Sequence, residues 1–283
     1  MEFHINGVAT EIDTNGKSFG DILGELDGNL ETAGSIMMAI ELDGKNVDPD
    51  ELPALAARSA TGPGRVDIRA ESSSSMRASA INTLLEFLSA IGGAGEHDMD
   101  AVRDTFGRFR SAFGGLFSVE EESFLAAFTE DIEGGSGKIA ETVPKLRSFF
   151  GERLAELEDP VGSMQGAARL FDALKDDLKE VPVRMQTGKD ADAIRTMMVA
   201  VEIINKAVRL LPDFSRAVPG ASSMEIGQKS WGEFFDGFNG MLRELAGAFE
   251  SKDGVLIGDL AEYEIIPRLE ALFSATARVS EGR

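Results

Sequence analysis

The sequence predicts an α+β chain, with a small N-terminal unit of short strands around one helix and a longer all-helical region after it. Three observations carry this. Apolar residues alternate with period two over the first ~70 residues and follow a helical period over nearly everything after them. The dipeptides Asn6-Gly7 and Asp43-Gly44 punctuate the first part, and such pairs mark two-residue hairpins, whose turn positions need positive φ. The 283 residues exceed one ordinary domain and suit two.

Taken in order, "EFHI" and "VATEI" are strand-like runs on either side of Asn6-Gly7. Phe3 and Ile5 point to one face of the first run, so His4 belongs to the other and is a surface or half-buried residue. "SFGDILGELDGNLETAG" is a helix capped by Ser18, with Phe19, Ile22, Leu23, Leu26 and Leu30 on one face. "SIMMAIEL" is a largely buried strand ending at Asp43-Gly44. "DPDELPALAARS" is a short helical link, and "RVDIRAE", after the turn "GPG", is the last strand.

The order of hairpin, helix, strand, helical link and strand over residues 1–71 resembles the ubiquitin-like β-grasp fold. Two uses of that family fit poorly. Its carrier members present a C-terminal Gly-Gly tail, where this chain reads "SEGR", and its ferredoxin-type members need cysteines, of which there are none. The resemblance therefore implies a binding module.

"ESSSSM", residues 71–76, reads as a polar linker, which assigns 1–71 to the β-grasp domain, 72–76 to the linker and 77–283 to a mostly antiparallel helical bundle. Six or seven helices are expected there. Ser118-x-x-Glu121, Thr187-x-x-Asp190 and Ser222-x-x-Glu225 have the form of capping boxes, and Asp159-Pro160 offers a cap followed by a first-turn proline. Breaks are expected at "GGAGEHD", "EGGSG", "QTGKD" and "VPGASS".

Composition excludes several chemistries. Without cysteine there are no disulfides, thiolate nucleophiles or cysteine-held clusters, and the cytoplasm is the expected compartment. The net charge of −21 opposes phosphate backbones and anionic membrane surfaces, so neither nucleic acid nor membrane is an expected partner. "MEFHINGV" lacks the basic start of a signal peptide. Residues 1–72 hold 14 acids and 5 bases, about twice the charge density of the remainder, which suits an exposed module that meets basic partners.

"GGSGK" at 134–138 imitates a phosphate loop but fails its motif. Ile132 stands where the first Gly is required, Ile139 stands where the hydroxyl is required, and a helical pattern precedes it. It reads as a helix end and turn. His97, with Glu96, Asp98 and Asp100, matches no zinc or calcium spacing, and acids before a helix stabilise its N-terminus. No metal, cofactor or catalytic residue is assigned.

Two clusters stand out. Trp231, Phe234, Phe235 and Phe238 form an aromatic stripe with adjacent phenylalanines, which widens the apolar arc beyond one face and makes these four the candidate partner surface. Asp259, Glu262, Tyr263 and Glu264 make a candidate acidic pocket beside Pro267, which should kink or split its helix. The C-terminal stretch, taken with the N-terminal unit, resembles an uncharacterised bacterial family. The expected function is a non-enzymatic adaptor or scaffold with a protein partner, with self-association through helices giving a homodimer. The alternative is a small-molecule-binding protein or enzyme with a carboxylate-lined pocket at the domain junction.

Overall fold

A computed structural model describes residues 1–92, 98–134 and 136–281. It is an α+β chain: a five-stranded mixed sheet near the N-terminus, then helices to the end. Two compact units are present, Met1–Leu154 and Ala155–Arg283.

In the first unit, β1 (Glu2–Ile5) and β2 (Val8–Thr10) form the expected hairpin, with Asn6 and Gly7 at φ of 50° and 82°. α1 (Phe19–Thr32) buries Phe19, Ile22, Leu26 and Leu30. β3 (Ser35–Leu42) turns through Asp43-Gly44 into β4 (Lys45–Asn46), a two-residue strand too short to show a period in the sequence. α2 (Leu52–Ala56) is the short link, and β5 (Arg65–Ser72) runs parallel to β1 and antiparallel to β3. The strand order is β2-β1-β5-β3-β4. Phe3, Ile40, Val66 and Ile68 meet the apolar face of α1 in one core. Asn6 also works beyond its turn: its carboxamide donates to the Ala70 carbonyl (2.9 Å) and accepts from the Ala70 amide (3.0 Å).

The stretch read as a linker is regular structure. β5 ends at Ser72, and α3 (Ser73–Ile91) follows at once, with the Ser72 hydroxyl accepting from the Ser75 amide at 3.0 Å. A serine run marks a helix cap as readily as a linker, because the hydroxyl satisfies a free first-turn amide. α4 (Met99–Phe113), α5 (Val119–Gly134) and α6 (Ser136–Glu158) come next, and the second compact unit begins inside α6. Phe106, Phe109 and Phe117 are buried, Phe113 is half-buried, and Phe106 meets Phe128 edge-on at 5.1 Å.

Beyond α6 lie α7 (Pro160–Lys179), α8 (Val181–Gln186), α9 (Asp190–Ala217), a 3₁₀ turn (Ala221–Ser223), α10 (Trp231–Ser251), α11 (Gly254–Asp259), a π-helical segment (Leu260–Ile265) and α12 (Ile266–Glu281). Among the described residues this makes ten α-helices from α3 onward, against the six or seven expected. The surplus comes from six-residue pieces such as α8 and α11, which are shorter than any pattern of period 3.6 can reveal. One large core of α7, α9, α10 and α12 side chains closes this unit.

Local capping decided several boundaries. Ser18, Ser118 and Asp159 cap as expected. Thr187 instead donates to the Val183 carbonyl, and α9 starts without a side-chain cap. Ser222 sits in the 3₁₀ turn, and the true box for α10 is Ser230 with Glu233. Hydrogen bonds from the Ser18 amide (2.9 Å) and hydroxyl (2.7 Å) hold the Asp21 carboxyl below its ordinary range. Those from the Ser230 hydroxyl (2.6 Å) and amide (3.0 Å) do the same for Glu233. A folded-state value below the unfolded one means stability present at neutral pH and lost as pH falls through the folded value. The thermal midpoint is thus expected to fall on acidification through the carboxylate range, and the Asp21→Asn/Glu233→Gln double variant to flatten that fall.

A second expectation rests on close packing. Gly258 in α11 is buried, and a Cβ there would lie 2.9 Å from the Cα of Pro182 in α8. Backbone cannot give way as a side-chain tip can. Gly258→Ala should lower stability by about 1–3 kcal/mol, read from urea unfolding.

Candidate functional site

The aromatic stripe of α10 divides into two rows. Phe234 and Phe238 stand four residues apart, are 3% and 1% exposed, and stack 5.7 Å apart within the core. Trp231 and Phe235, also four apart, are half-buried, with ring centroids 5.4 Å apart at 53°. Rows offset by three residues lie roughly 60° apart on a helix, so one row can be core while the other reaches the rim. The Ser230–Glu233 box fixes the first turn and hence the place of Trp231.

Trp231 and Phe235 form one wall of a cavity of about 390 Å³. Val208, Leu211, Pro212 and Ser215 of α9, with Ser222 of the 3₁₀ turn, complete it. Val208 is 41% exposed. Pro212, inside α9, has no amide hydrogen to offer the carbonyl one turn earlier. The chemistry of the lining is plain: four aliphatic or aromatic surfaces, a proline and two hydroxyls. It holds no acid, base or histidine, so it has no group suited to move a proton at neutral pH. It can bind, and its lining suits an apolar side chain.

Of the four residues expected as a partner surface, the structure places two at this cavity and two in the core. The α9 half of the site was not read from the sequence. The signal available for it was Pro212 inside a strongly periodic helix, a position where a proline has no amide hydrogen to give.

The second cluster lies where α11 passes into the π-helical segment. Asp259 is exposed at the end of α11, Glu262 is half-buried, and Tyr263 is 65% exposed. Glu264 is tied one turn on to Arg268, with Nε donating at 3.0 Å and a terminal nitrogen to the same oxygen. None of the four lines the Trp231 cavity. Pro267 does not split its helix: α11, the π-helical segment and α12 follow one another without a gap, and the widened π turn falls just before the proline, where a wider turn accommodates the missing amide.

The remaining sequence features fall into place locally. Gly134 ends α5, as the helix end expected there, but Ser136, Gly137 and Lys138 already belong to α6 and not to a turn; Gly135 lies outside the described residues. Glu96 and His97 lie outside them too, while Asp98 caps α4. His4 is half-buried on β1. Among the described residues no three histidine, aspartate or glutamate side chains gather as metal ligands, and no helix is long and apolar enough to cross a membrane.

Comparison with known proteins gives two family models. Residues 163–275, which contain the Trp231 cavity and the Asp259–Glu264 cluster, match the model described as a domain of unknown function (DUF8042). No curated protein and no solved structure matches the chain. Its five-stranded part, residues 1–72, is similar to the TP0873 N-terminal domain.

Proposed function

We propose that this chain is a non-enzymatic protein-interaction protein, an adaptor or scaffold, in which the Trp231–Phe235 groove is a contact surface for a protein partner. One observation carries the reading: a tryptophan and a phenylalanine stand half-exposed at the mouth of an apolar cleft without a titratable group. Aromatic residues in such clefts supply most of the binding energy at protein interfaces. The N-terminal sheet serves as a β-grasp binding module. Its strand order, the parallel pairing of β1 with β5 and the single helix α1 against the buried face support that assignment. The acidic surface speeds encounter with basic partners, and the lack of cysteine fits a cytoplasmic setting.

Site-specific photocrosslinking tests the groove. With benzoylphenylalanine at position 231, irradiation in host extract should yield a covalent adduct with a protein, either another species or a second copy of the chain. The same group at position 119, an exposed position of α5, serves as control. Adducts at 231 no different from those at the control would remove the groove from the account.

A further inference from the structure

We propose a second contact surface, on the N-terminal unit: the open edge of β2 takes an extended, basic segment of a partner protein as an added strand. The inference deepens the adaptor reading and rests on it, but it comes from different residues.

β2 is the outer strand of the sheet, paired only with β1. The register joins Ile5 to Val8, His4 to Ala9 and Phe3 to Thr10. Across a two-residue turn the flanking pair, Ile5 and Val8, is the hydrogen-bonded one, and bonded pairs alternate. The amide and carbonyl of Ala9 therefore point away from β1, toward the open edge. Such edges are usually blunted by lysine, proline or a bulge. β2 reads Val-Ala-Thr, and Val8 is 70% exposed.

Beside this edge the chain leaves the hairpin and opens a cavity of about 560 Å³, lined by residues 1–4 and 9–13. Its lining includes the exposed carboxylates Glu2, Glu11 and Asp13, and neither lysine nor arginine. Arg65 lies opposite Glu2 in the parallel pair, but Asp67 engages it, with Nε donating to Oδ2 at 2.7 Å. That hydrogen bond also holds the Asp67 carboxyl below its ordinary range. His4 lines the same cavity, and its Nδ1 is buried with no hydrogen-bond partner among the described residues.

These features fit one kind of occupant. An added strand pairs its main chain with Ala9 and sends alternate side chains to one face. Lysine or arginine at those alternate positions meets Glu2, Glu11 and Asp13, whereas an acidic strand meets repulsion. A helix would leave the outward-pointing backbone groups of β2 unused.

The test uses the full chain and a fluorescein-labelled peptide of alternating lysine and valine, capped at both ends, followed by fluorescence anisotropy. Saturable binding is expected, weakening as salt is raised. The glutamate–valine counterpart should not bind. N-methylation of alternate amides in the peptide should weaken binding about tenfold, the effect of losing one or two backbone hydrogen bonds. Ala9→Pro should do the same, since proline deletes an outward amide and leaves the hairpin ladder in place. Glu2→Lys/Glu11→Lys should abolish binding. Failure of the lysine peptide to saturate, equal binding of the N-methylated peptide, or binding that survives Glu2→Lys/Glu11→Lys would overturn the proposal. Trp231→Ala/Phe235→Ala should bind the peptide unchanged, so failure here and failure of the groove reading are separate results.

Discussion

Glu121→Ala is expected to destabilise the first compact unit by about 3–5 kcal/mol, the cost of breaking a buried ion pair from one side. Glu121 is fully buried in α5. Arg77 of α3 donates to its Oε1, and Arg153 of α6, itself 6% exposed, lies 3.9 Å from the same oxygen. Its other oxygen accepts from the Ser118 amide at 2.8 Å, closing the cap of α5. One carboxylate thus ties three helices and a helix start. Its removal takes the carboxylate away from the buried Arg153 and the partly exposed Arg77, and leaves an amide without its acceptor. Arg153 keeps Glu120 at 3.0 Å and the face of Phe149 at 4.5 Å, which bounds the loss. Glu121→Gln keeps the side chain's volume and one acceptor oxygen but turns an NH₂ donor toward either the guanidinium groups or the Ser118 amide; with packing retained it should still cost less than alanine. Urea unfolding checks this, and equal losses for the two variants would show that the charge both remove, and not the packing that glutamine retains, is all that Glu121 supplies.

Phe238→Ala should cost the second unit about 3–5 kcal/mol, as large-to-small changes in a closed core do. Phe238 is 1% exposed, packs with Phe234 and belongs to the main core of the unit. Trp231→Ala, seven residues earlier on the same helix, should cost only about 1–2 kcal/mol, because only part of its surface is withdrawn from water. The contrast is diagnostic. If the two substitutions cost the same, Trp231 is a core residue and the groove is not a free surface. Trp231 is the only tryptophan in the chain, so its emission reports the state of the groove in the same experiments.

Much of the first unit can be read from the sequence because its signals are local. Asn6-Gly7 and Asp43-Gly44 demand positive φ, and the structure gives each pair that backbone. The α1 face follows from spacing alone. What cannot be read is what long-range packing decides. Ser118-x-x-Glu121, Ser222-x-x-Glu225 and Ser230-x-x-Glu233 are equally good boxes on paper. Ser222 fails because the chain after Ala217 is held in a turn, with Gly220 at φ 82°, and the helix waits until Ser230. Thr187 is likewise drawn back to the Val183 carbonyl instead of forward to α9.

The candidate site shows the same division. The spacing 231, 234, 235, 238 announces two rows on one helix, but nothing in the spacing says which row turns inward. That depends on α9, whose Val208 and Pro212 approach one row from outside the segment. On a regular helix Asp259 and Glu262, three residues apart, would share a face. The π-helical segment changes the angle between successive residues, and Arg268 claims Glu264.

The most direct test of the central claim is affinity capture from host lysate with full-length protein and the Trp231→Ala/Phe235→Ala variant, read by quantitative mass spectrometry. Thermal melts establish that both are folded. The account predicts a protein captured in stoichiometric amount by the native chain and lost with the folded variant. Identical captured sets from the two proteins, or no protein captured by either, would contradict it.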